Sequence, residues 1–191
     1  MMTIKHKTRN KKQKKGFTLI ETLIAITLLM LAVVEPMSLT AQALKAAYYS
    51  RDQVTASNLA QEAVEAVRSV RDAQILTVAT NPSASVDIFG PIPVDQDFTI
   101  DTTTNAVSLC NGPCPPLQTN GILYAYNAGW TNTGFTRTVH ACYVQPVAPF
   151  ACNSTVSDEM RLQVTVTWRT GSYPARSISI YENLYRWISN T

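Results

Sequence analysis

Glycine is scarce in this chain, with seven in 191 residues and none between Phe17 and Phe89. That gap excludes a glycine-rich phosphate loop there and leaves a long stretch open to unbroken helix, because an interior glycine costs about 1 kcal/mol relative to alanine. Cysteine is limited to four positions, all beyond residue 109. Acidic residues are missing from the first twenty positions, and from Phe17 to Val34 only Glu21 carries a charge. No metal-binding helix motif and no internal repeat is present. No small-x-small cleavage site directly follows the apolar run, which Glu35-Pro36 closes instead, so a secretory signal peptide fits poorly.

What is present is concentrated at the N-terminus. Lys5, Lys7, Arg9, Lys11, Lys12, Lys14 and Lys15 make a leader without acids. Nine basic and thirteen acidic side chains remain beyond it, a formal charge of minus four against plus three overall. The positive sign therefore belongs to the leader. After Gly16 comes FTLIETLIAITLLMLAVV, eighteen residues that as a helix would cross a hydrocarbon core of roughly 30 Å. A basic block beside such a helix places the long C-terminal part outside the cytoplasm. A carboxylate within the span costs on the order of 3 kcal/mol even on the lenient insertion scale, so Glu21 calls for a partner. If Glu21 sat at the headgroups instead, Thr22 to Val34 would be left, short for a span.

The stretch from Lys14 to Leu31, with its Gly16-Phe17 junction and Thr-Leu-Ile-Glu, resembles the N-terminus of bacterial type IV prepilins and pseudopilins. The resemblance implies cleavage after Gly16 by a membrane prepilin peptidase, methylation of Phe17, and use of Glu21 in recruiting and aligning subunits. Elementary chemistry is consistent with this. Glycine has no side chain to clash with a protease. A new ammonium on Phe17 would lie one helical turn from Glu21, and in a bundle it could neutralise the Glu21 of a neighbour. The partners implied are other pilin or pseudopilin subunits, the peptidase, an inner-membrane assembly platform and membrane lipid. Nucleic acid is not expected, no cofactor is implied, and the chain is read as a non-enzymatic subunit. The similarity leans towards a minor pilin or minor pseudopilin of the bacterial inner membrane, with its head outside and later in a fibre.

Apolar positions continue through Leu44, Tyr48, Thr55, Leu59, Ala63, Val67 and Val70, predicting an amphipathic helix to about Leu76, about 90 Å from Phe17. Its exposed side pairs Glu65 with Arg68 and Arg68 with Asp72. Pro36 removes one helical hydrogen bond, so a kink or local melting is expected there unless it only marks the membrane exit.

From Asn81-Pro82 onward the composition turns to Pro, Thr, Ser, Asn and Gly. Strands are expected at 98–101, 122–126, 135–144, 161–169 and 177–185, the clearest alternation being Leu162, Val164, Val166, Trp168. The fold class is therefore α+β and pilin-like: a long N-terminal helix, membrane-embedded in its first half, on an antiparallel sheet. The parts are a leader (1–16), an assembly helix (17–36), an amphipathic helix (37–77) and a β-rich head (78–191). Cys110 with Cys114 and Cys142 with Cys152 are the favoured disulfides in an oxidising exterior. A four-cysteine zinc site is the alternative, but the spacings miss the usual two-residue knuckle. Asp95, Asp97 and Asp101 lack the glycine and terminal glutamate of a calcium loop. His140 and Cys142 share a strand face in the ordinary way. Two rival functions remain: a membrane-anchored extracytoplasmic binding protein, and a DNA-capturing competence minor pilin, for which Arg137, Arg161, Arg169 and Arg176 would have to cluster.

Overall fold

The computed structural model describes residues 16–187 apart from 82, 84, 85 and 172, so the leader lysines and Pro82 lie outside the described residues. The chain forms two units, Met1–Ala46 and Ala47–Thr191. A single helix, α1 (Leu19–Thr80), contributes to both. It ends later than the expected Leu76, its last turn closed by the Thr80 hydroxyl donating to the Leu76 carbonyl at 2.9 Å. The helix also continues through Pro36, contrary to the expected melting. One missing N–H costs roughly 3 kcal/mol, which the intact turns on either side outweigh.

In the first unit every described residue from Gly16 to Ala46 is exposed. In the second unit α1 buries Ala56, Leu59, Ala60, Ala63, Val64, Ala66, Val67, Ile75 and Val78. Leu44 and Tyr48, expected to begin the buried stripe, are exposed, and Thr55 and Val70 are half-buried. The reason is side-chain size. Four alanines line the contact and let the helix backbone approach the sheet, a surface that a search for large apolar residues passes over.

The sheet is antiparallel and built on β5 (Thr131–Val144). One edge of β5 pairs with β7 (Glu159–Trp168), which pairs with β8 (Arg176–Tyr185). Along its other edge lie β3 (Pro116–Thr119), β1 (Asp97–Asp101) and β6 (Cys152–Asn153), with β4 (Tyr124–Ala125) beyond β3 and β2 (Ala106–Leu109) beyond β1. The α+β arrangement is the one the sequence predicts. In β7 the alternation is complete: Met160, Leu162, Val164, Val166 and Trp168 are buried under the helix and the residues between them are not. Each such side chain removed from water contributes about 1.5–3 kcal/mol.

Three strands escaped the sequence pattern because they are short and poorly alternating: β2, β3 and β6. The expected strand 122–126 shrinks to two residues. Here the Asn120 side chain accepts hydrogen bonds from the amides of Ile122 and Leu123 at 3.0 and 2.9 Å, and Gly121 sits at φ +93°, so these residues close a turn instead. The central strand starts earlier than 135, because Thr131 and Asn132 pair with Thr119 and Gln118, and the Thr133 hydroxyl donates to the Leu117 carbonyl at 2.6 Å.

Arg137 is fully buried on the helix-facing side of β5. Its guanidinium donates to the Ile100 carbonyl at 2.6 Å and the Leu59 carbonyl at 3.2 Å, with the Glu62 carboxylate 3.7 Å away. One side chain thus fastens α1, β1 and β5. Tyr126 lies beneath the cation at 5.9 Å and donates its hydroxyl to the Arg137 carbonyl. Burial pushes the Tyr126 phenol up.

Asp101 borders this group. Burial alone would raise its carboxyl, but hydrogen bonds from the Thr103 hydroxyl and amide and from the Tyr126 amide, together with the Arg137 charge, hold it below the ordinary 3.8. A carboxyl lowered in the folded state contributes stability above its ordinary value, and that contribution is lost as pH falls through the lowered one. Asp101→Asn is expected to cost about 1 kcal/mol at neutral pH and to narrow its gap from the wild type in acid, read from thermal melts at pH 7 and pH 3.

Candidate functional site

The candidate site is the start of α1, where Gly16, Phe17 and Thr18 precede the first helical turn. A Cβ placed on Gly16 would meet nothing within 4 Å among the described residues. Phe17 is 81 % exposed. Thr18 caps the helix: its carbonyl accepts from the Glu21 and Thr22 amides at 3.1 and 3.2 Å, and its hydroxyl from the Glu21 amide at 3.3 Å. Thr-Leu-Ile-Glu thus also has the spacing of a capping box, with Glu21 in the first turn where the helix dipole favours a negative charge. The cap that Thr18 makes was readable from the S/T-x-x-E pattern and was missed.

From Thr22 to Val34 the helix presents only apolar side chains and two hydroxyls that are satisfied within it. Thr22 donates to the Leu19 carbonyl and Thr27 to the Ile24 carbonyl, both at 2.8 Å. Such internal bonds are what a lipid environment requires, since it supplies no partners. Leu23, Ile24, Ile26, Leu28, Leu29 and Leu31 are all exposed. One helix, Leu19–Thr80, contains a window long and apolar enough to cross a membrane. Glu21 is the ionisable exception at its beginning.

Comparison with known proteins falls on the same residues. A family model described as the prokaryotic N-terminal methylation motif matches residues 11–34, the basic leader's end, the Gly16-Phe17 junction and the apolar run. The N-terminus is that of a type IV pilin-like precursor. The long helix packed on an antiparallel sheet is an α+β, pilin-like architecture. No curated protein and no solved structure matches the chain. The motif points to a structural subunit rather than an enzyme, to other pilin subunits and a prepilin peptidase as partners in general, and to membrane anchoring with a head.

In the second unit, Cys110 is joined to Cys114 and Cys142 to Cys152, with Cα separations of 5.0 and 5.4 Å. The four cysteines thus form two bridges. Asp97 faces His140 at 3.0 Å, and Asp101 is held by Thr103. Cys142 is spent in its disulfide, leaving no thiol beside His140. The arginine cluster needed for DNA capture is not assembled: Arg137 is buried in the core and Arg176 stacks on Tyr49 at 4.8 Å. The expected Arg68–Asp72 pair is also replaced. Arg68 bridges Glu65 and Glu182, while Asp72 is held by Arg71 at 2.7 Å. Its hydrogen bond to Glu182 raises the Arg68 pKa, against the opposing effect of burial. A half-buried carboxylate on β8 outcompetes a solvated one along the helix.

Proposed function

We propose that this chain is a non-enzymatic subunit of a type IV pilus or a secretion-type pseudopilus. The precursor sits in the bacterial inner membrane through its apolar helix, with the head outside the cytoplasm. A prepilin peptidase cuts after Gly16, and Phe17 becomes the methylated N-terminus. An assembly platform then lifts the mature chain into a fibre whose core is the bundled apolar segments.

The observation that carries this reading is the methylation-motif match at residues 11–34, of which the described residues, Gly16 to Val34, are all exposed. Such a surface needs lipid before assembly and neighbouring helices after it. The structure of the first turn supports the charge pair: Glu21 is exposed, and the Phe17 nitrogen freed by cleavage lies one turn away along the sequence. The test is where the chain is found and how it begins. Sheared filaments from the native host are expected to contain it without its leader. A full-length chain confined to the membrane fraction would overturn the reading.

A further inference from the structure

The face of the sheet turned away from the helix carries a row of polar side chains. Cross-strand register sets Asp97 opposite His140, His140 opposite Gln163, and Gln163 opposite Tyr181, a straight row over β1, β5, β7 and β8. Their neighbours Phe98, Val139, Val164 and Ile180 point to the other side, into the core. Beside the row, Arg161 and Asp95 complete the rim of a concavity of about 300 Å³, floored by the Cys142–Cys152 bridge.

The hydrogen-bonding capacity here is unspent. Elsewhere on the same face polar side chains engage one another: Thr165 with Ser179 directly across β7 and β8 at 2.9 Å, and Asn183 with Glu159 diagonally at 2.7 Å. Within the concavity, among the described residues, the side chains of Asp95, Arg161, Gln163 and Tyr181 engage no protein partner, and His140 uses only Nδ1, towards Asp97 at 3.0 Å. Tyr181 is 60 % exposed. An aromatic ring beside closely spaced donors and acceptors offers two things at once. Its negative face attracts polarised C–H groups, and the polar rim bonds hydroxyls of either sense.

We propose that this concavity binds a saccharide of one or two rings, stacked on Tyr181 and hydrogen-bonded by Gln163, Arg161, His140 and Asp95. The volume suits such a ligand, at the small end of binding pockets. A phosphate or other strong anion fits less well, because Asp95 and Asp97 oppose the single Arg161 cation. An apolar ligand would strand the polar rim.

The test uses full-length protein in a zwitterionic detergent free of sugar head groups, applied to a printed array of neutral di- to tetrasaccharides, with retained sugars titrated by calorimetry. Saturable binding of at least one sugar is expected. Tyr181→Ala and Gln163→Ala should each weaken it about tenfold, and Tyr181→Phe by less than about threefold. Tyr173→Ala, an exposed tyrosine outside the row, should leave it unchanged. Retention of no sugar, or binding indifferent to Tyr181→Ala, would overturn the proposal. Filament incorporation is read separately, so either outcome leaves the assembly reading to its own test.

Discussion

Glu21→Ala is expected to leave the chain inserted in the membrane and to reduce its copies in sheared filaments about 100-fold. Insertion survives because removing a carboxylate from an apolar helix relieves a cost on the order of 3 kcal/mol. Incorporation fails because the Phe17 ammonium of a neighbour would be buried unmatched, a penalty of about 3–5 kcal/mol, and each 1.4 kcal/mol is tenfold in an equilibrium. The capping geometry supplies a control. Glutamine at the third helical position can still reach back to the cap but carries no charge, so Glu21→Gln keeps the helix start and loses the pair. Quantitative blotting of filament and membrane fractions separates the two roles. Near-normal incorporation of Glu21→Gln would show that Glu21 serves the helix end and not subunit pairing.

The second large effect lies in the head. Arg137→Ala is expected to destabilise the fold by about 3–5 kcal/mol, because it opens a cavity and strips the Ile100 carbonyl and the Glu62 carboxylate of their cation. For a chain of this length that is a drop in melting temperature of roughly 10 °C. Arg137→Met, which keeps the stem but not the charge, should fall between. Arg169→Ala, on an exposed residue, should stay within about 0.5 kcal/mol of wild type. Thermal melts of the three variants in one detergent decide it. Equal stability of Arg137→Ala and wild type would mean that the arginine does not fasten helix to sheet.

Arg137 also shows where reading the sequence stops. It stands in phase with Val139, Ala141 and Tyr143, so parity alone put it on the core side of β5. Charge argued the other way, and an arginine is ordinarily assigned to the surface. Only the tertiary fold discloses the two carbonyls that satisfy it. The same division holds elsewhere. The β7 alternation was legible because four large residues, Leu162, Val164, Val166 and Trp168, repeat with period two against one apolar layer. β2, β3 and β6 were not, being two to four residues long and stabilised by pairing with longer strands rather than by their own pattern. The alanine face of α1 was hidden because small residues carry little hydrophobic signal even when they set the packing distance.

The stretch that the N-terminal methylation motif matches was legible in the sequence, since its pattern is local: a leader, a junction, a carboxylate and an apolar run within 34 residues. The row over the far side of the sheet was invisible by contrast. Asp97, His140, Gln163 and Tyr181 are spread over 85 positions of sequence and become neighbours only through strand register.

The most direct measurement is the mass of the N-terminal peptide of the chain isolated from its native host, from filaments and membranes alike. The account predicts a peptide that begins at Phe17 and carries one added methyl group on its amine. A filament-borne chain that still begins at Met1 would contradict it, because no cationic end would then exist to meet Glu21.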